Sequence, residues 1–80
     1  MIQIVKLPTV LEKFCISRSL AFLHLSKGLL PPSISLGERS KGFILSELDA
    51  VLSARVAGQS NDQIKALVKS LVEKRKGDFQ

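Results

Sequence analysis

Two short polar stretches carry the side chains best suited to contact a polyanion. Ser17-Arg18-Ser19 heads an apolar run, and Arg39-Ser40-Lys41 lies between Gly37 and Gly42. A guanidinium can pair with a guanine edge or a phosphate, and a serine hydroxyl can contact either. Unpaired N–H groups at a helix start also favour a phosphate. Each stretch has a plainer use: Ser17 capping a helix with Arg18 solvated, and residues 39–41 forming a polar turn. The residue types alone leave both uses open.

The elements that must hold these stretches follow from periodicity and punctuation. Thr9-Val10-Leu11-Glu12, Ser46-Glu47-Leu48-Asp49 and Ser60-Asn61-Asp62-Gln63 each match the capping box. The spacing predicts a first helix from Pro8 or Thr9 to about Phe14. A second runs from the Ser17 cap to Lys27 and is stopped by Gly28. Pro31-Pro32 excludes helix, and Ser33 to Leu36 alternates polar and apolar as a half-buried strand does. The polar turn Gly37–Gly42 then returns through Phe43 to Leu45, giving a hairpin with a basic tip. A third helix is expected from Ser46 to about Ala57, with Leu48, Val51, Leu52 and Val56 on one face and Gly58 at its end. A fourth is expected from Ser60 to about Lys76, closed by Gly77. It carries Ile64, Leu67, Val68, Leu71 and Val72 as an amphipathic stripe.

On the second helix, Ala21, His24, Leu25 and Gly28 fall on one side, with Leu20 at the margin. Arg18, Ser19, Phe22, Leu23 and Ser26 fall opposite, with Lys27 beside them. The first set suits packing; the second suits an outward face. Phe22 and Leu23 fit thymine methyls, sugar edges or a second chain, and they also fit a core if the rotation differs. Two helices joined by a tight turn, a basic-tipped hairpin and a third helix together make a winged helix-turn-helix.

Composition narrows the function classes. The net charge of +5 favours a polyanionic partner, nucleic acid before an anionic membrane. At 80 residues and 45% hydrophobic, the chain suits one small domain with a thin core of Leu, Ile, Val and four Phe. The single cysteine, Cys15, excludes an intrachain disulfide and fits a reduced, cytoplasmic setting; a small buried hydrophobe is its expected role. No apolar run reaches the ~18 residues of a membrane helix. The N-terminus lacks the pattern of a signal peptide. One histidine, one cysteine and seven carboxylates placed mostly at helix starts point away from a metal site and from an enzyme. No cofactor is implied. His24, on the apolar side of its helix, reads as a core or edge histidine.

The stretch Leu7 to Val56 resembles the AlpA family of prophage regulators, which is related to small excisionases and to the winged domain of MerR-type regulators. The resemblance rests on Leu7, Ser17-Arg18-Ser19, Phe22, Gly28, Leu30-Pro31, the hairpin Leu36-Gly37-Glu38-Arg39-Ser40-Lys41-Gly42-Phe43, and Glu47, Leu48, Val51, Leu52 and Arg55. It departs from the family pattern at Phe43, where tryptophan is usual, and at Phe22, where tyrosine is commoner. Leu23 and His24 also stand where a polar and an apolar residue are more usual. The resemblance implies a mostly α fold with a small β-hairpin, a winged helix-turn-helix over residues 1–58. Residues 59–80 add a C-terminal helix that either packs on the domain or mediates self-association.

It further implies sequence-specific binding of double-stranded DNA by a mobile-element regulator, acting in transcription, in excisive recombination, or in both. Ser17, Arg18, Ser19, Phe22, Leu23, Ser26 and Lys27 would form the recognition helix surface, and Arg39, Ser40 and Lys41 the wing. An integrase and a second copy of the chain are the candidate protein partners. The competing function is an adaptor or anti-repressor whose fourth helix docks on another protein.

Overall fold

The computed structural model describes residues 3–38 and 40–78, with side chains described through residue 75. Strand β1 (Ile4–Val5) leads into helix α1 (Leu7–Phe14), a tight turn and helix α2 (Arg18–Ser26). Strands β2 (Ile34–Ser35) and β3 (Lys41–Ile44) follow, then helices α3 (Leu45–Val56) and α4 (Asn61–Asp78). The architecture is mostly α with a small sheet, as a winged helix-turn-helix requires.

The sheet has three antiparallel strands in the order β1-β3-β2. The hairpin pairs Ile34 with Gly42 and Ser35 with Lys41, and Leu36 N–H donates to the Ser40 carbonyl at 2.7 Å. Lys41 and Gly42 therefore belong to a strand and not to the turn, whose narrow end lies between Leu36 and Ser40. Gly42 is buried, and a Cβ there would collide with Ile4 Cγ2 and crowd Leu36 Cδ1. Its lack of a side chain is a packing requirement, set by β1. That strand pairs Ile4 with Ile44 and Val5 with Phe43, and nothing in a two-residue run betrays it in the sequence.

Helix ends follow a common device. Gly28, at φ 76°, closes α2: its N–H donates to the Leu25 carbonyl and the Leu29 N–H donates to that of His24. This is the Schellman pattern. Gly58, at φ 83°, closes α3 through Arg55 and Ala54 in the same way. Cys15 plays this part for α1 at φ 54°, a left-handed conformation that is uncommon for a residue with a side chain. This place in the turn leaves Cys15 exposed rather than buried as expected.

Helix starts depart further from expectation. Only the third capping box forms: Ser60 N–H donates to Gln63 Oε1 at 2.9 Å and Gln63 N–H to Ser60 Oγ at 3.3 Å. Helix α1 begins at Leu7 behind Lys6, with Pro8 in its first turn, so Thr9 is already helical. Helix α3 begins at Leu45 directly after β3, so Ser46 does not cap either. In both cases strand pairing sets where the helix begins. At the other end, α4 passes through Gly77 to Asp78. A glycine within a helix costs ~1 kcal/mol and does not by itself stop it.

The core forms where α1, α2, the sheet, α3 and α4 meet, around Val10, Ala21, Phe43, Leu48, Val51 and Ile64. The buried face of α3 is Glu47, Leu48, Val51 and Ala54. Val56, expected on that face, is 83% exposed because it lies roughly 150° round the helix from the face's centre. Helix α4 lays its stripe on α3, with Ile64 and Val68 buried and Leu67 and Leu71 packed beside them. Within one chain the stripe thus buries Ile64 and Val68 and leaves Leu67, Leu71 and Val72 half-buried.

Candidate nucleic-acid interface

Helix α2 turns as its spacing predicts. Ala21 is fully buried and His24 and Leu25 are half-buried, while Arg18, Ser19, Phe22, Leu23, Ser26 and Lys27 are exposed. Ser17 caps the helix, its Oγ accepting the Leu20 N–H at 3.2 Å. The cap leaves Arg18 as the first helical side chain, exposed beside the free end of the helix. Ser26 Oγ donates to the Leu23 carbonyl at 2.7 Å, so its proton is engaged and its lone pairs remain for a donor.

The outward face is unusually apolar for a surface: Phe22 is 53% exposed, Leu23 46% and Leu20 37%. Phe22 also lines a groove of about 260 Å³ shared with Leu7, Leu25, Ser33, Lys41 and Phe43. This groove runs between α2 and the hairpin. It brings Phe22 of the expected recognition helix and Lys41 of the expected wing to one concave surface, although they are far apart in the chain. Ser40 and Lys41 are exposed at the hairpin. Arg39, the remaining expected wing residue, lies outside the described residues.

One cation escaped the sequence reading. Lys6 is exposed, and its Nζ donates to the Lys41 carbonyl at 3.4 Å, which places a further positive charge at the wing's stem. Lys6 precedes α1 and lies 35 residues from Lys41, so no local spacing links them. Arg75 goes the other way. The cluster Lys74-Arg75-Lys76 suggests a phosphate contact, but Arg75 is taken up by Glu47. Lys74 is exposed, and the Lys76 side chain lies outside the described residues.

A second concavity, of about 300 Å³, lies elsewhere among Phe14, Ile16, His24, Leu29, Leu52 and Arg55. Burial holds the His24 imidazole below its usual range, and the charges of Arg55 and Lys27 add to the effect. Among the described residues, no helix is long and apolar enough to cross a membrane.

A family model described as prophage CP4-57 regulatory protein AlpA matches residues 3–56. An uncharacterized protein, ORF88 of Enterobacteria phage P4, is 32% identical over 57 residues. That match covers 71% of this chain and 65% of the phage protein, so the chain spans slightly less than two thirds of its relative. No solved structure matches. The matched span takes in β1, both helices of the helix-turn-helix, the hairpin and α3, and the chain belongs to the AlpA family of prophage regulatory proteins.

Proposed function

We propose that the protein is a sequence-specific double-stranded DNA-binding regulator of a mobile element. Helix α2 enters the major groove N-terminal end first. Arg18 and Ser19 reach base edges or phosphates, with Ser17 at the capped helix start. Phe22 and Leu23 contact thymine methyls or sugar edges, Ser26 accepts from a base amino group, and Lys27 meets the backbone. Arg39, Ser40 and Lys41 contact phosphates or the neighbouring minor groove. The observation that carries this reading is the shared groove: Phe22 of α2 and Lys41 of β3 line one surface. A duplex seated on α2 thereby meets the wing. The same chemistry serves a promoter or an attachment site, so transcriptional regulation and excision use one surface, with an integrase as the partner in the second role.

The test is fluorescence anisotropy with duplexes selected from a random pool, run as a salt series. The expected result is a preferred sequence bound more tightly than random duplex, with affinity falling steeply as salt rises. Affinity should fall by ~0.9 log units per tenfold rise in salt for each phosphate contact. Absence of salt-sensitive binding to any duplex would remove DNA as the ligand.

A further inference from the structure

We propose that α4 positions the wing, and that Arg75 is the positioning residue. The proposal rests on the DNA-binding reading above and assigns a role to a helix beyond the family match. Arg75 makes three hydrogen bonds to two separate elements. Its Nε donates to Glu47 Oε2 at 2.8 Å and its Nη2 to Glu47 Oε1 at 2.6 Å, a two-pronged clamp on α3. The same Nη2 donates to the Pro32 carbonyl at 2.8 Å. Glu47 is only 3% exposed, so its charge is compensated in a place where water cannot do so.

Pro32 is the point where this contact acts on the wing. The segment Leu29–Ser33 leads from α2 to β2, and its two prolines supply no backbone N–H. It cannot anchor itself by donating at those positions; its carbonyls are the available handles. Pro31 is fully buried, which pins one side of the segment. Arg75 holds the other through Pro32. Because the proline ring fixes φ, holding that carbonyl sets the direction in which Ser33 and Ile34 leave. Ser33 leads into the strand that pairs Ile34 with Gly42 and Ser35 with Lys41. The chain of contacts therefore runs from α3 through Arg75 to the base of the wing. A lysine cannot replace it, since one ammonium lacks the planar fork that serves Glu47 and Pro32 together.

The experiment compares wild type, Arg75→Lys, Arg75→Met and a charge control, Lys69→Met, on the exposed side of α4. Each is first checked for a folded state at low temperature; Arg75→Lys retains the charge near Glu47 should Arg75→Met not fold. Amide hydrogen exchange and the salt slope of DNA binding are then measured. The expected result is faster exchange at the Leu36 and Gly42 amides, with Leu48 and Val51 still slow. The salt slope should fall by about one to two, as wing phosphate contacts are lost, with preference among sequences retained. Lys69→Met should leave hairpin exchange as in wild type. Wild-type exchange at the hairpin in folded Arg75 variants overturns the proposal, as does faster exchange spread evenly over α3 and the hairpin. If wild type binds no duplex, the DNA reading fails, and the exchange measurement still decides whether Arg75 holds the wing.

Discussion

Ser17 and Arg18 are neighbours with separate tasks. The Ser17 hydroxyl closes the first turn of α2, and this lets Arg18 project from a helix start that is already satisfied on one side. Arg18→Ala is expected to weaken binding to the preferred sequence by ~1–3 kcal/mol if the guanidinium grips a base edge. Anisotropy against preferred and random duplex separates the cases: loss on the preferred site alone assigns base reading, equal loss on both assigns a phosphate, and no loss removes Arg18 from the interface. His24, on the opposite side of α2, gives a pH signature. Its pKa is lowered by burial, then by Arg55 and Lys27, so the unfolded chain takes up a proton before the folded chain does. The contribution is therefore intact above about pH 6.5, the ordinary histidine value, and is lost as pH falls through the lower folded value. Melting temperature should drop as pH falls below about 6.5, before the range where ordinary carboxylates titrate is reached. His24→Gln should flatten that drop, and an unchanged pH profile in the variant would assign it to other groups.

At the scale of elements, the hairpin joins the proposed phosphate contacts to backbone geometry. Replacing Arg39 and Lys41 by alanine is expected to weaken binding to all sequences alike and to reduce the salt slope by about two, at ~0.9 per contact. A folded double variant with an unchanged slope would make the tip a solvated turn. The order of helices and hairpin was legible because each rests on local signals: the 3.6-residue period, the diproline, and glycines at helix ends. The rotation of α2 was legible too, since one buried alanine and its neighbours define its inner face. What was not legible depends on pairing between distant segments. Three similar capping patterns stand in the chain, yet Thr9 and Ser46 were overruled because β1 and β3 feed directly into their helices. Gly42 looked like a turn glycine until β1 came to lie against it. Glu47 follows Ser46 at an expected helix start, yet its partner Arg75 lies 28 residues away.

At the scale of the whole molecule, the question is where the cooperative unit ends. The family match stops at Val56, and the sequence invites a division into residues 1–58 and 59–80. The packing argues that the first part is incomplete alone. Ile64 is fully buried and Val68 nearly so, and both cover the inner face of α3. Removing α4 would expose that face and leave Glu47, 3% exposed in the intact chain, without Arg75. Losing the burial of Ile64, Val68 and the α3 side chains they cover costs about 1.5–3 kcal/mol for each fully buried side chain. Total stability for small domains is about 5–15 kcal/mol, so these losses together approach or exceed it. The fragment 1–58 is therefore expected to show no cooperative thermal transition by circular dichroism. A milder test in the full chain is Leu67→Asp, which places a carboxylate at the α3–α4 seam. It should lower the melting temperature with no change in mass by sedimentation. A change in mass with stability retained would instead make the stripe a seam between two copies. A fragment that melts like the intact chain would make α4 an appendage and separate the winged-helix unit from it.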